Sequence, residues 1–155
     1  MSALETLQNR FSFLKDNIRQ QNEKRLWAEV AYANFFPVFD LAVKELGFTH
    51  LCTITGLDEG EYLAFIYHLA SKDGVVFSLK TKVLKDKEAL KTITGYFPGG
   101  AIYERELVDL FGARVEGLPG GPHYPLPDGW PAGQYPLRKD WDQKILDKLG
   151  GNYGL

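Results

Sequence analysis

Apolar residues recur at three- and four-residue steps through Leu4, Leu7, Phe11, Leu14 and Ile18. That is the period of one helical face, and it predicts an amphipathic helix over residues 3–20. Ser2, with Glu5 three residues on, has the composition of a capping box at its start. The step then shortens to two: Arg25–Tyr32 alternates apolar and polar residues as a half-buried strand does. Asn34 is placed to cap a second helix, Pro37 to sit in its first turn and Gly47 to stop it. Phe35, Phe36, Phe39, Val43 and Leu46 lie between those signals.

Three strands are predicted next, over Phe48–Thr55, Glu61–Ala70 and Val75–Leu84. The turn signals GLDEG and SKDG separate them, so the last two should form a hairpin. Asp86 is placed to cap a short helix, DKEALKTIT, ending near Gly95. A last helix, YERELVDLFG, stops at Gly112. This order predicts an α+β fold, with helices packed on a mostly antiparallel sheet, followed by an extended Pro- and Gly-rich C-terminal tail. We read residues 1–112 as an α/β body and 113–155 as an extended docking tail, without an internal repeat.

The tail departs from the periodic pattern. Six of the eight prolines and nine of the sixteen glycines follow Phe111, interleaved with Tyr124, Trp130, Tyr135 and Trp141. Proline removes backbone donors and glycine adds unfolded-state entropy, so neither a strand ladder nor a long helix is expected there. Solvated linkers are poor in aromatics, so these rings are expected to be buried, on a partner in preference to the chain's own body.

Composition narrows the function classes. With 45% hydrophobic and 25% charged residues, the 155-residue chain has the make-up of a globular domain. A formal net charge of −2 argues against a nucleic-acid partner, which would call for clustered Lys and Arg. One cysteine, Cys52, excludes an internal disulfide and any all-cysteine metal or iron–sulfur site of this chain's own. No stretch approaches the roughly 20 apolar residues of a membrane span. MSALETLQNRF lacks the basic and apolar regions of a signal peptide, so an intracellular location is expected.

On the last helix, Tyr103, Leu107, Val108, Leu110 and Phe111 share one arc, and Arg105, Glu106 and Asp109 the other. Arg105 and Asp109, four apart, can pair on a solvated face. Glu104 projects into the apolar arc, where a carboxylate calls for a cation or donors. Arg114 and Arg138 are candidates, as is an arginine of a partner. Alternatively Glu104 sits at the rim and reaches water. Glu104, Glu106 and Asp109 could form a carboxylate cluster for acid–base chemistry in a small stand-alone enzyme. His50, His68 and His123 show no metal-ligand spacing and read as structural histidines. Gly99-Gly100 and Gly120-Gly121 read as turns, since neither has the strand–loop–helix context of a phosphate cradle.

Two blocks carry a resemblance. Glu104, Arg105, Glu106, Asp109, Leu110, Phe111 and Gly112 form the first; Pro127 and Trp130, then Pro136, Leu137, Arg138, Lys139 and Asp140, form the second. In this order they resemble the thirty-kilodalton subunit family of respiratory complex I. The equivalent small subunits of membrane-bound, energy-converting nickel–iron hydrogenases belong to the same family. Complex I members usually carry a G-H-P-x-L-R-R-like run between the blocks. Here GGPHYPLPDGWP stands instead, and the chain is short, features that lean toward the hydrogenase branch. The resemblance implies a subunit without cofactors of its own, on the cytoplasmic face of a membrane complex. It would dock on the large catalytic subunit that holds the nickel–iron site, near iron–sulfur subunits and indirectly the membrane subunits. The same-family alternative is the corresponding subunit of a quinone reductase. A free adaptor read through its proline-rich tail is a third possibility. Under the leading reading Glu104, Arg105, Glu106, Asp109 and Phe111 are interface residues, as are Lys139 and Asp140. Arg138 would pair with a carboxylate, and Trp130, Tyr135 and Trp141 would anchor.

Overall fold

The computed structural model describes residues 2–149. Contacts divide the chain into two compact units. One consists of residues up to Thr55 with Ala64–Val83, the other of Gly56–Leu63 with residues from Leu84 onward.

The first unit is built on a sheet. Helix α1, Ala3–Arg10, starts with the expected capping box: Glu5 N–H donates to Ser2 Oγ (3.2 Å) and Ser2 N–H to Glu5 Oε2 (2.7 Å). It ends much earlier than the apolar steps predict. A 3-10 turn over Ser12–Leu14 follows, then strand β1, Ile18–Asn22, antiparallel to β2, Arg25–Glu29. Leu14 is buried in the turn and Ile18 is the only buried residue of β1, so their helical spacing is coincidental. Polar side chains divert the backbone between and after them. Asn17 Nδ2 donates to the Phe13 carbonyl (2.8 Å), and Lys24 N–H to Asn22 Oδ1 (2.9 Å) in the hairpin turn.

Helix α2, Tyr32–Lys44, takes the last residue of the predicted strand and starts two residues before Asn34. Its cap position is Ala31, with no side-chain cap, and Pro37 lies inside the helix. Phe35 and Phe39 pack on Tyr67, with ring centroids 4.6 and 5.8 Å apart. All three are essentially excluded from solvent. Gly47, at φ +75°, turns the chain out of the helix into β3, His50–Asp58. Strands β4, Tyr62–Ala70, and β5, Val76–Leu84, follow within a residue or two of the predicted bounds at most ends. The sheet order is β1-β2-β5-β4-β3, antiparallel in its hairpins, with β2 parallel to β5. The mostly antiparallel α+β class expected from the pattern is therefore observed.

In the second unit the short helix predicted over DKEALKTIT is absent. Asp86 adopts φ +61°, and Glu88 bends back to accept the Leu84 N–H (2.6 Å). Leu90–Lys91 becomes strand β6, parallel to β7, Val115–Glu116. A segment with only Leu90 and Ile93 fully buried offers too little apolar face to offset helix nucleation, and two threonines flank Ile93. Helix α3, Gly100–Phe111, begins three residues before Tyr103 and ends at Gly112. There the left-handed residue (φ +66°) sends its N–H back to the Val108 carbonyl. The described chain closes on α4, Lys144–Leu149.

Candidate docking site

The residues singled out from sequence gather around α3 and the segment after it, within the second unit. Gly112 is required there twice over: its φ is positive, and a Cβ would run into the Tyr135 ring and the Arg138 guanidinium. Arg138 uses that space. Its Nε donates to the Phe111 carbonyl (2.6 Å), and its two terminal nitrogens donate to the carboxylate of Asp86 (3.0 and 2.7 Å). The guanidinium carbon sits 4.5 Å from the Tyr135 ring centre. An arginine thus caps the negative end of the helix while neutralising an aspartate. The hydrogen bond from Arg138 holds the Asp86 carboxyl below its ordinary range.

The neighbours of Arg138 are fixed by backbone bonds. Leu137 N–H donates to the Leu110 carbonyl (3.0 Å), and Lys139 N–H to Asp58 Oδ2 (2.9 Å). Asp58 is buried and also accepts from Lys85 Nζ (2.7 Å) and Gly60 N–H (2.8 Å). Burial would raise its carboxyl, but those three donors outweigh it and hold the group low. The side chains of Leu137, Lys139 and Asp140 stay exposed on this backbone.

Arg105 and Asp109 do not pair with each other. Arg105 Nη2 donates to the carbonyls of Pro119 (3.1 Å) and Gly120 (3.0 Å), and a Cβ on Gly121 would strike its guanidinium. Asp109 is buried, not solvated, and accepts from His123 Nδ1 (2.9 Å) and Tyr124 N–H (2.6 Å). Each side of the predicted pair instead holds part of the following segment. The period placed these residues on the outer arc correctly, but the segment folds back onto Arg105 and Asp109.

Glu104 is fully buried, so it is not at a solvated rim. Neither Arg114 nor Arg138 meets it. Its carboxylate accepts from Thr92 Oγ1 (2.5 Å) and Ile93 N–H (2.7 Å), and burial outweighs these bonds, leaving its carboxyl raised. Glu106 is half-buried. With Glu104 turned inward onto Thr92 and Ile93 and Asp109 held by the tail, the three carboxylates do not converge on a common point. Trp130 is buried, donates from Nε1 to the Gln134 carbonyl (2.8 Å) and stacks with Trp141 (6.4 Å). Tyr135 and Trp141 are half-buried and Phe111 is buried.

In the first unit His68 lies between Ser78 Oγ (2.8 Å) and Thr55 Oγ1 (3.2 Å), a satisfied structural histidine as expected. Among the described residues no group of three or more His, Cys, Asp or Glu is placed to hold a metal ion, and no helix is long and apolar enough to cross a membrane. Sequence reasoning missed Asp58 and Asp86 as anchors. The one signal for Asp58 is its place in the GLDEG turn, where it accepts from Gly60 N–H.

Residues 28–145 match the family of the respiratory-chain NADH dehydrogenase, 30 Kd subunit. The chain is 34% identical over 100 residues to a subunit of the F(420)H(2) dehydrogenase of Methanosarcina mazei, a match that covers 63% of each chain. It is 33% identical over 101 residues to the membrane-bound hydrogenase subunit beta of Pyrococcus furiosus, covering 63% of this chain and 58% of that one. In both cases the match spans less than two thirds of the relative's length. A chain in the structure of the membrane-bound sulfane sulfur reductase, an archaeal respiratory membrane complex, has the same fold. The TM-score is 0.79 at 25% identity, over 95% of this chain and 88% of that chain. Both sequence blocks and the helix they fold around fall inside residues 28–145, and the chain belongs to the respiratory-chain NADH dehydrogenase 30 Kd subunit family.

Proposed function

We propose that this chain is a structural subunit, without cofactors of its own, of a membrane-bound redox complex, and that it acts by docking on the large catalytic subunit. The observation that carries this reading is the way Asp58, Asp86 and Leu110 grip residues 137–139. The PLRKD block is thereby held as a preformed surface on which Leu137, Lys139 and Asp140 stay exposed. Preorganised surface of this kind lowers the ordering cost of association.

Among complex types, we favour an energy-converting, nickel–iron hydrogenase-type assembly on the cytoplasmic face of the membrane. The likeness to the membrane-bound hydrogenase subunit and the run GGPHYPLPDGWP support it. Partner subunits would carry the nickel–iron site and the iron–sulfur clusters, since Cys52 stands alone and the three histidines are dispersed. A second reading, a quinone-reductase or F420H2 dehydrogenase-type complex, is favoured by the 34% identity to the Methanosarcina protein. Affinity isolation of the tagged chain from its native host, with mass spectrometry and metal analysis, tests both. Recovery of a nickel-containing large subunit with iron–sulfur proteins is the expected result. A nickel-free set moves the assignment to the second reading, and a chain recovered alone removes the subunit reading altogether.

A further inference from the structure

Three of the four large apolar side chains exposed among the described residues are tied to one face of α3. Ile102 lies on the helix and is 49% exposed; Tyr124, also 49%, is held through its N–H on Asp109. Leu137, 52% exposed, is held through its N–H on the Leu110 carbonyl. Ile102, Glu106 and Leu110 follow at four-residue steps, each turned about 40° from the last, and the strip runs about 12 Å along the axis. Asp109 adjoins the strip about 20° from Ile102 and Leu110 ends it, so Tyr124 is tied beside the strip and Leu137 at its C-terminal end. Glu106, midway, makes no hydrogen bond or ion pair among the described residues.

Single exposed leucines are ordinary on protein surfaces. Three apolar groups on anchored backbone form a cluster of the kind an interface buries. A carboxylate among them calls for an opposite charge from whatever covers it. We propose that the outer face of α3, framed by Ile102, Tyr124 and Leu137, is the surface that meets the protein partner. That partner presents an apolar patch with one arginine or lysine set to receive Glu106. This rests on the subunit reading above and sharpens it, since most of the interface residues expected from sequence are consumed inside the chain. A second copy is disfavoured because a two-fold contact through the strip would bring Glu106 toward its own equivalent. A membrane surface is disfavoured because its anionic headgroups repel a central carboxylate.

The test uses the tagged chain expressed in its host, with the photo-reactive p-benzoylphenylalanine at position 102 or 137. Both positions are expected to cross-link to the same partner protein, in peptides carrying Arg or Lys beside apolar residues. Glu106→Lys should lower the co-isolated partner about tenfold or more, with Glu106→Gln intermediate, while neither changes the urea midpoint of the isolated chain. Adducts only with lipid, or only with a second copy, overturn the proposal. So does undiminished partner recovery by Glu106→Lys together with absent cross-links; in that case the subunit reading survives and this surface does not. Failure of the unsubstituted chain to bring down any partner removes both.

Discussion

Arg138 and Asp86 form a bidentate pair whose two members are unequally placed: the arginine side chain is 9% exposed and the aspartate 64%. An aspartate in that position contributes little by itself, because solvent screens it. Arg138 does more, since its buried stem fills the space over Gly112 and its Nε satisfies the last carbonyl of α3. Asp86→Ala is therefore expected to cost well under about 1 kcal/mol, and Arg138→Ala about 2–3 kcal/mol. Urea unfolding of the two variants gives the comparison. Equal losses would mean that the ion pair, not the cap, carries the stabilisation.

Gly112 and Gly47 share a positive φ but not their surroundings. Nothing stands within 4 Å of a Cβ at Gly47, whereas Tyr135 and Arg138 occupy that space at Gly112. Gly47→Ala should cost about 1 kcal/mol from left-handed backbone alone. Gly112→Ala should cost that plus about 1–3 kcal/mol of overpacking. It should also speed proteolysis of residues 113–149, where Gly47→Ala should not. Indistinguishable melting curves for the two variants would contradict the packing described around Arg138.

Asp58 has a carboxyl held low, mainly by Lys85 and the N–H groups of Lys139 and Gly60 acting against burial. Its folded value lies below the unfolded 3.8, so its contribution is present above that pH and is lost as pH falls through the folded value. Asp58→Asn should lose about 2–3 kcal/mol near pH 7, because one neutral amide cannot serve a lysine and two backbone donors. The gap to the parent chain should close on acidification below about pH 4. A gap that persists unchanged into acid would assign the loss to packing.

Legibility in the sequence followed the range of the interactions concerned. Strands β3 to β5 and the end of α3 at Gly112 could be read because apolar period and turn residues act locally. The helix expected over residues 3–20 failed because Leu14 and Ile18 keep helical spacing while belonging to a turn and a strand. The helix expected after Asp86 failed because β7 takes Leu90, and β7 lies beyond α3 in the chain. Around α3, the need of Glu104 for donors was readable, but not that Thr92 and Ile93 supply them. The partner of Lys139 N–H is Asp58, 81 residues earlier, and no local pattern encodes such a distance.

Glu104 allows a test in the opposite direction of pH. Burial raises its carboxyl above the unfolded 4.5, and the bonds from Thr92 and Ile93 recover only part of that cost. The folded chain therefore binds this proton more tightly than the unfolded one. The resulting stabilisation is complete below pH 4.5 and is lost as pH rises through the folded value. Glutamine has no such proton to lose. It can still accept from Ile93 N–H while its amide turns to the Thr92 hydroxyl. Glu104→Gln should match the parent chain near pH 4 and become more stable than it at neutral pH. Glu104→Ala should instead lose about 1–3 kcal/mol at both, because the Ile93 N–H is left buried without an acceptor. Urea titrations at the two pH values separate the cases. Parallel pH profiles for the parent and Glu104→Gln would show that the carboxylate is as well solvated in its buried site as in water.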